Sequence, residues 1–474
     1  MGVFPSGIAN PIPFLGSSLG GATSFFDGLP QLIESGGWYN PGMKLPGLSS
    51  LKIGKGTRVF LRVDWNVPLD GGLPAEDVFK IERSLKTLKW LKEKGAVVIA
   101  ATHLGRPKGR EPSLSTKRLV APLSRDFGLE VGFLPFDLAD ASEAKQARNI
   151  VALAAPGAVF LLENVRFFAG EEENAVGLAS GYAQLAECFV NEAFASSHRA
   201  HASVVGIAKK LPSAAGFLLE EEVEALSRVV EKPKSPFVAI VGGAKVSTKV
   251  DVIKALLKTA DAVCVGGAMA NTFFLAQGKK VGKSLVELEA VAVAKSLLKA
   301  KNLVLPEDVL VAEKLEPGHR PRTVATDGVK AGDMVGDVGP ATMRAWAALV
   351  RRAKTIVWNG PLGRAEVAAF SHGSRVLGQA IAARSRGKAF GVVGGGDTVP
   401  VLLSTKMHDG VDHISTGGGA MLEFLVEGGR LPGILALAPV AVAKAASKKK
   451  AVTKSKSKSV VRAKPKVRSK ARKP

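Results

Sequence analysis

Short apolar runs recur along most of this chain, and they constrain its fold more than any other feature. Residues 57–63 read as a strand, and 96–100 is a second, nearly continuous apolar run. Others stand at 159–162, 187–190, 238–241, 262–265, 355–358 and 390–393. Stretches with helical spacing separate most of them. In residues 80–94, Ile81, Leu85, Leu88 and Leu91 fall on one face and Gly95 ends the helix. Strands apolar on both faces, alternating with amphipathic helices, imply parallel sheets covered on each side. Ligands of such sheets bind at the carboxyl ends of the strands.

Those strand ends carry most of the unusual chemistry. The first half presents Arg62, Asp64 and Asn66, then His103 and Arg106, then Asn164 and Arg166, then Asn191, His198, Arg199 and His201. Arginine offers a rigid fork suited to phosphate and carboxylate. Any single arginine equally suits a surface ion pair with a local acid. Four at equivalent positions point to a cage for a small polyanion. His198 and His201 are three apart, but no further Cys/His cluster completes a zinc site.

In the second half, residues 238–249 read as strand, glycine turn and helix start, with Lys245 and Lys249 four apart on one helix face. Two ammonium groups above glycines suit a triphosphate; an exposed basic face is the alternative. No Walker A spacing is present, and no placed Gly-x-Gly-x-x-Gly. Residues 392–398 place three glycines, Asp397 and Thr398 after an apolar run, and a second triplet follows at 417–419. Glycines after a strand let backbone N–H groups approach phosphate, and a nearby carboxylate can meet the divalent cation that phosphates carry. A plain tight turn explains one triplet alone. Asn359 is suited to phosphate and Glu366 to ribose hydroxyls.

The 474 residues suffice for two or three domains. No apolar run reaches the roughly 18–20 residues of a membrane helix. Cys188 and Cys264, far apart, fit a reducing cytosol. The formal charge is +23; residues 441–474 hold 11 Lys, 3 Arg and no acid, leaving +9 elsewhere. That tail reads as disordered. Residues 1–42 are almost uncharged and show no signal-peptide pattern, though the first six match a loose myristoylation motif. A boundary is expected near 211–216, followed by an acidic amphipathic helix.

Taken in order, RVDWNVP, HLGRP, LENVRF, HRAHAS, GGAKV, VGGAMA, WNGPLG, VGGGDT and HISTGGGA resemble the phosphoglycerate kinase family over about residues 46–437. The resemblance implies an α/β fold of two Rossmann-like domains with parallel sheets, joined by a helix and hinge. It divides the chain into an extension (1–45), a 3-phosphoglycerate domain (46–215), a connecting helix (216–232), a nucleotide domain (233–420), a returning segment (421–440) and the tail (441–474). It implies a cytoplasmic monomer interconverting ATP and 3-phosphoglycerate with ADP and 1,3-bisphosphoglycerate, with Mg²⁺ on the nucleotide and no membrane.

Carried over by motif, the substrate residues are Asp64, Trp65, Asn66, Lys80, His103, Leu104, Gly105, Arg106, Arg166 and Arg199. The nucleotide residues are Gly242, Gly243, Lys245, Lys249, Gly266, Gly339, Asn359, Glu366, Gly395, Gly396, Asp397 and Thr398, with Asp397 associated with the metal. Arg62, Lys80, Lys245, Lys249, Gly395 and Gly418 are expected to act on the moving phosphoryl group. The chain departs from the family pattern at Lys80, where arginine is usual, with Arg83 one turn on as a stand-in. Ala365 stands for phenylalanine, Val335 for glycine and Asn271 for an aromatic residue. The rival reading is a catalytically weakened scaffold whose basic tail binds nucleic acid or another polyanion.

Overall fold

The computed structural model describes residues 45–68 and 75–437. The N-terminal extension with its myristoylation pattern, and the basic tail, lie outside the described residues.

The first half contains β1 (Arg58–Arg62), β2 (Val97–Ala101), β3 (Gly132–Leu134), β4 (Val159–Leu162), β5 (Cys188–Asn191) and β6 (Ser213–Ala215). They form one parallel sheet in the order β3-β4-β2-β1-β5-β6. The second half contains β7 (Phe237–Val241), β8 (Ala262–Val265), β9 (Leu303–Val304), β10 (Asp308–Ala312), β11 (Arg322–Ala325), β12 (Met334–Val338), β13 (Thr355–Asn359), β14 (Phe390–Gly394) and β15 (His413–Ser415). Six of these make a parallel sheet, β15-β14-β13-β7-β8-β9, and β11-β10-β12 form a small antiparallel sheet. The fold is therefore α/β with two parallel six-stranded sheets.

Register aligns the functional loops. Arg62 lies level with Ala101 and Asn191, so the loops after β1, β2 and β5 leave from one edge. Asn359 lies level with Val241 and Gly394, Val241 with Val265, and Gly394 with Ser415. The strand order turns back between β1 and β5 in one sheet and between β7 and β13 in the other. Loops splay apart at such points and leave a crevice.

The helix Phe217–Glu231 joins the halves. Its Leu219, Val223, Leu226 and Val229 sit in one apolar cluster with Phe60 and Ile99 of the first sheet and Phe237 and Met421 of the second half. Between these apolar positions is Glu222, fully buried, which accepts from His413 Nε2 at 2.7 Å and from Thr416 N and Oγ1 at 2.6 and 2.8 Å. Burial alone would raise this carboxyl, but His413 and the Thr416 donors hold it below its usual range. After the second glycine triplet the chain packs back on the first half: Gly433 N donates to Ser197 O at 2.8 Å.

The helix expected over 80–94 runs from Ala75 to Glu93. Its start packs against Val399–Ser404, the helix after the first triplet. Phe79 packs on the second-half cluster that contains Trp358, Val399 and Leu402.

Candidate active site

The first crevice is basic. A cleft of about 570 Å³ is lined by Arg106, Lys108, Arg166, Arg199, Glu171 and Glu172. Arg106 is exposed, while Arg166 and Arg199 are half-buried. The fork of Arg166 is steered by its neighbours: Nη1 donates to Gly105 O at 2.5 Å and Nε lies 3.2 Å from Glu172 Oε1. The local-acid alternative thus applies in part to Arg166. Asn66 holds the β2 loop by accepting from Gly105 N at 2.8 Å, where Gly105 has φ +59°. Asp64 in turn accepts from Asn66 N at 3.3 Å.

Trp65 and Leu104 are core residues. Trp65 is fully buried, and its indole donates to Ser84 Oγ at 2.8 Å on the helix that bears Lys80. Leu104 is 1% exposed and offers only backbone. Lys80 is half-buried near the start of that helix. Arg83, expected above as a stand-in for the usual arginine, is engaged elsewhere. Its Nη2 lies 2.9 Å from Glu221 on the connecting helix, and its guanidinium covers the Phe79 ring at 5.6 Å.

His103 is buried behind the cage. Burial, then the charges of Arg62 and Arg166, press its imidazole well below its ordinary pKa, so it stands neutral. His201 is lowered to about 3 by burial and the same cations. A neutral ring offers one N–H donor and adds no charge to the cage. Beneath them lies Arg62, expected from the sequence, in a buried layer with Ser203, Glu171 and Tyr182, which the sequence did not point to. Glu171 stands in an acidic run, Glu171-Glu172-Glu173, that reads as surface. Ser203 is the last residue of HRAHAS and is its only local signal.

The second crevice is built from glycines. Gly243 has φ +112° and Gly360 φ +92°, and a Cβ on Gly242 would fall 2.2 Å from Pro361 O. Two loops therefore pass backbone to backbone. The expected shared helix face of Lys245 and Lys249 does not form. Regular helix begins only at Val250, because the left-handed Gly243 and the turn after it, tied by Ser247 N to Glu287 Oε2 at 2.9 Å, intervene. Lys245 is exposed. Lys249 folds inward, with Nζ 2.7 Å from Gly242 O and 2.9 Å from Asn359 Oδ1. Burial lowers it to about 8, with Asp397 pulling the other way. Asn359 is 4% exposed, and its Nδ2 is a buried donor with no protein acceptor.

Gly395 has φ +114°, and its carbonyl accepts from both Thr398 N and Val399 N at 3.0 Å. Thr398 Oγ1 takes the Gly360 N–H at 2.7 Å, which ties the two loops together. Gly396 and Asp397 are exposed at the mouth. A cavity of about 360 Å³ opens beside this floor, between Gly243, Phe274, Leu285, Val335, Glu366 and Asp397. Gly266, whose N–H is taken by Val241 O at 2.9 Å, packs on Leu362 and Trp346 behind that wall. Gly339 is buried at a helix start against Asp308, next to the wall rather than in it.

Val335 is accommodated by a bulge between β10 and β12 that skips Gly336. A Cβ at Gly336 would meet Phe370 at 2.4 Å, so the glycine is needed one position later than in the family pattern. Asn271 is fully buried and its Nδ2 donates to Leu285 O at 3.1 Å, so it anchors a pocket residue. Asp337, on the wall, is raised to about 7 by burial while it accepts from Gly373 N at 2.8 Å.

A basic cage and a glycine floor with an inward lysine, on two joined α/β halves, match one known arrangement. Residues 49–428 fit the family model described as phosphoglycerate kinase. The chain belongs to the phosphoglycerate kinase family. It is 46% identical over 385 residues to the phosphoglycerate kinase of Thermus thermophilus, covering 80% of this chain and 96% of that one. It is 44% identical over 389 residues to the cytosolic phosphoglycerate kinase 3 of Arabidopsis thaliana, covering 81% and 96%. The solved phosphoglycerate kinase of Coxiella burnetii superposes with a TM-score of 0.70 at 40% identity, covering 83% of this chain and 98% of that one. As a family member the chain is a glycolytic phosphotransferase with a carboxyl acceptor. Its phosphoglycerate kinase substrates are 3-phosphoglycerate and ATP or ADP.

Proposed function

We propose that the first crevice binds 3-phosphoglycerate through Asp64, Asn66, His103, Arg106, Arg166 and Arg199, and the second binds the nucleotide through Lys245, Lys249, Asn359, Glu366 and the glycines 242, 243 and 395–396. The observation that carries the nucleotide part of this reading is the buried, unpartnered Asn359 Nδ2, on the residue whose Oδ1 holds Lys249 Nζ beside the glycine loops: an unsatisfied donor next to an ammonium is what a phosphate oxygen would complete. The division into domains 46–215 and 233–420, the connecting helix 216–232 and the returning segment 421–440 belongs to the same proposal.

The acceptor is a carboxylate, ionised at neutral pH, so no general base is needed. Catalysis then rests on alignment and on neutralising the phosphoryl in flight. Lys249 supplies charge from the floor and Lys245 from the rim. Lys80 supplies charge from the opposite half, although its ammonium lacks the planar fork of arginine. Gly395 and Gly418 keep the floor low enough for backbone to approach. Asp397 is a single exposed carboxylate at the pocket mouth, and among the described residues no cluster of three acids, histidines or cysteines could hold an ion unaided. That donor set fits a Mg²⁺ carried mainly by the nucleotide phosphates. When bound, the ion neutralises phosphate charge. Residues 441–474 are proposed as a salt-sensitive polyanion contact. The protein is proposed to act as a cytosolic monomer, and among the described residues no helix is long and apolar enough to cross a membrane.

A coupled assay of 3-phosphoglycerate phosphorylation by Mg-ATP, on the full chain and on a version lacking 441–474, tests both parts. Activity in both versions is expected. A filter-binding titration with DNA should weaken on tail removal, and no change would remove the tail's role.

A further inference from the structure

Arg62 ends β1 at the base of the cage, and it is 1% exposed. Nε donates to Ser203 Oγ at 3.0 Å. Nη1 donates to Val63 O and to Ala101 O. Nη2 donates to Ser196 Oγ and to His103 Nδ1, each at 3.4 Å. All five N–H groups of the guanidinium thus have protein acceptors, so Arg62 works on the substrate site through its neighbours.

The His103 contact has a chemical consequence. A guanidinium carries donors only, so the bond forms only when His103 Nδ1 is unprotonated. In a neutral ring the proton then sits on Nε2, the nitrogen turned away from Arg62.

Arg62 is itself held. The Ser203 hydroxyl donates to Glu171 Oε1 at 2.5 Å, which leaves its lone pairs to the Arg62 Nε–H. Ser203 N and Tyr182 Oη donate to Glu171 Oε2 at 3.1 and 3.0 Å, so the carboxylate cannot turn. Burial raises the Glu171 carboxyl, while Arg62 and the Ser203 and Tyr182 donors pull it back toward the anion that a buried guanidinium favours. Orientation is passed from Glu171 to Ser203, from Ser203 to Arg62, and from Arg62 to His103.

We propose that Glu171, acting through Ser203 and Arg62, is a positioning residue for the 3-phosphoglycerate site, holding His103 as the Nε2–H tautomer that donates to an anionic oxygen of the substrate. The proposal rests on the reading above that His103 faces 3-phosphoglycerate.

The test is ¹⁵N NMR of histidine-labelled protein without substrate, with the His103 signals assigned by their loss in His103→Gln. The full chain should show the Nε2–H tautomer at His103. Ser203→Ala, the milder variant, and Glu171→Gln should each mix in the Nδ1–H form. Both should raise KM for 3-phosphoglycerate by roughly fivefold or more while KM for Mg-ATP stays within about twofold. An Nδ1–H tautomer in the unaltered protein overturns the proposal. So does a Ser203→Ala spectrum and KM identical to those of the parent. A shifted tautomer in Ser203→Ala together with an unchanged 3-phosphoglycerate KM in His103→Gln instead rejects His103 as a substrate residue, leaving the hydrogen-bond chain intact but without its function.

Discussion

A Cβ on Gly418 would lie 2.9 Å from the Cα of Gly395 and 3.4 Å from the N of Gly396. The second glycine triplet is thus the surface on which the first one rests. Backbone meets backbone there, so neither side can yield by turning a rotamer. Gly418→Ala should push the floor of the nucleotide crevice toward its ligand. We expect kcat/KM for Mg-ATP to fall by about tenfold or more, with KM for 3-phosphoglycerate little changed. Steady-state kinetics check this, and unaltered kinetics would show that the floor can shift without consequence.

Phe79 joins the helix that carries Lys80 to the apolar cluster of the other half. Its removal deletes a contact between the two halves and leaves the residues of both proposed sites in place. Phe79→Ala should lower kcat several-fold while both KM values move less, and Phe79→Leu should recover most of the loss. Small-angle scattering with both substrates bound should report a more open average shape for Phe79→Ala. An unchanged kcat with an unchanged scattering curve would show that Phe79 does not help hold the halves together.

Glu192 follows β5 and is fully buried, with both oxygens 3.2 Å from Leu218 N at the start of the connecting helix. Burial pushes its carboxyl up to about 8. Its folded pKa lies above the ordinary value of roughly 4.3, so the stability it contributes is complete at acid pH and is lost as pH rises through about 8. Glu192→Gln keeps the shape without the charge. In urea unfolding, the advantage of Glu192→Gln over the parent should grow between pH 6 and pH 9 by about a few kcal/mol. The same difference at both values would mean that the folded Glu192 is already ionised at pH 6.

Much of this architecture was legible because the parallel strands are buried on both faces, so residues such as those of β2 and β13 read as plain apolar runs. The short strands were not. β3, β6, β9 and β15 have two or three residues each, too few to show a period, and they pair only because the longer neighbours are already in place. The antiparallel β10–β12 escaped for another reason: β11 is mostly exposed and carries no apolar face. In the candidate site, motif order pointed to the arginines and glycines. It did not reveal Glu171, whose two acidic neighbours disguise a buried carboxylate. Nor did it reveal the inward fold of Lys249, which depends on a left-handed Gly243 and on Asn359, 110 residues away.

Lys249 carries a pH dependence of its own. Burial brings it to about 8 in the free protein, so its charge is present below that value and is lost above it. Bound phosphates would restore the proton. KM for Mg-ATP should therefore rise between pH 7 and pH 9.5, while kcat at saturating nucleotide changes less. A flat KM across that interval would indicate that Lys249 keeps its charge when buried.

In the proposed mechanism, charge held in place beside the nucleotide, rather than proton transfer, drives the reaction. Steady-state kinetics of Lys249→Ala test it most directly. In Lys249→Ala kcat should fall by about 100-fold or more, a larger factor than the rise in KM for Mg-ATP, while KM for 3-phosphoglycerate stays within about fivefold. A kcat close to that of the parent, with the loss confined to KM for Mg-ATP, would contradict it.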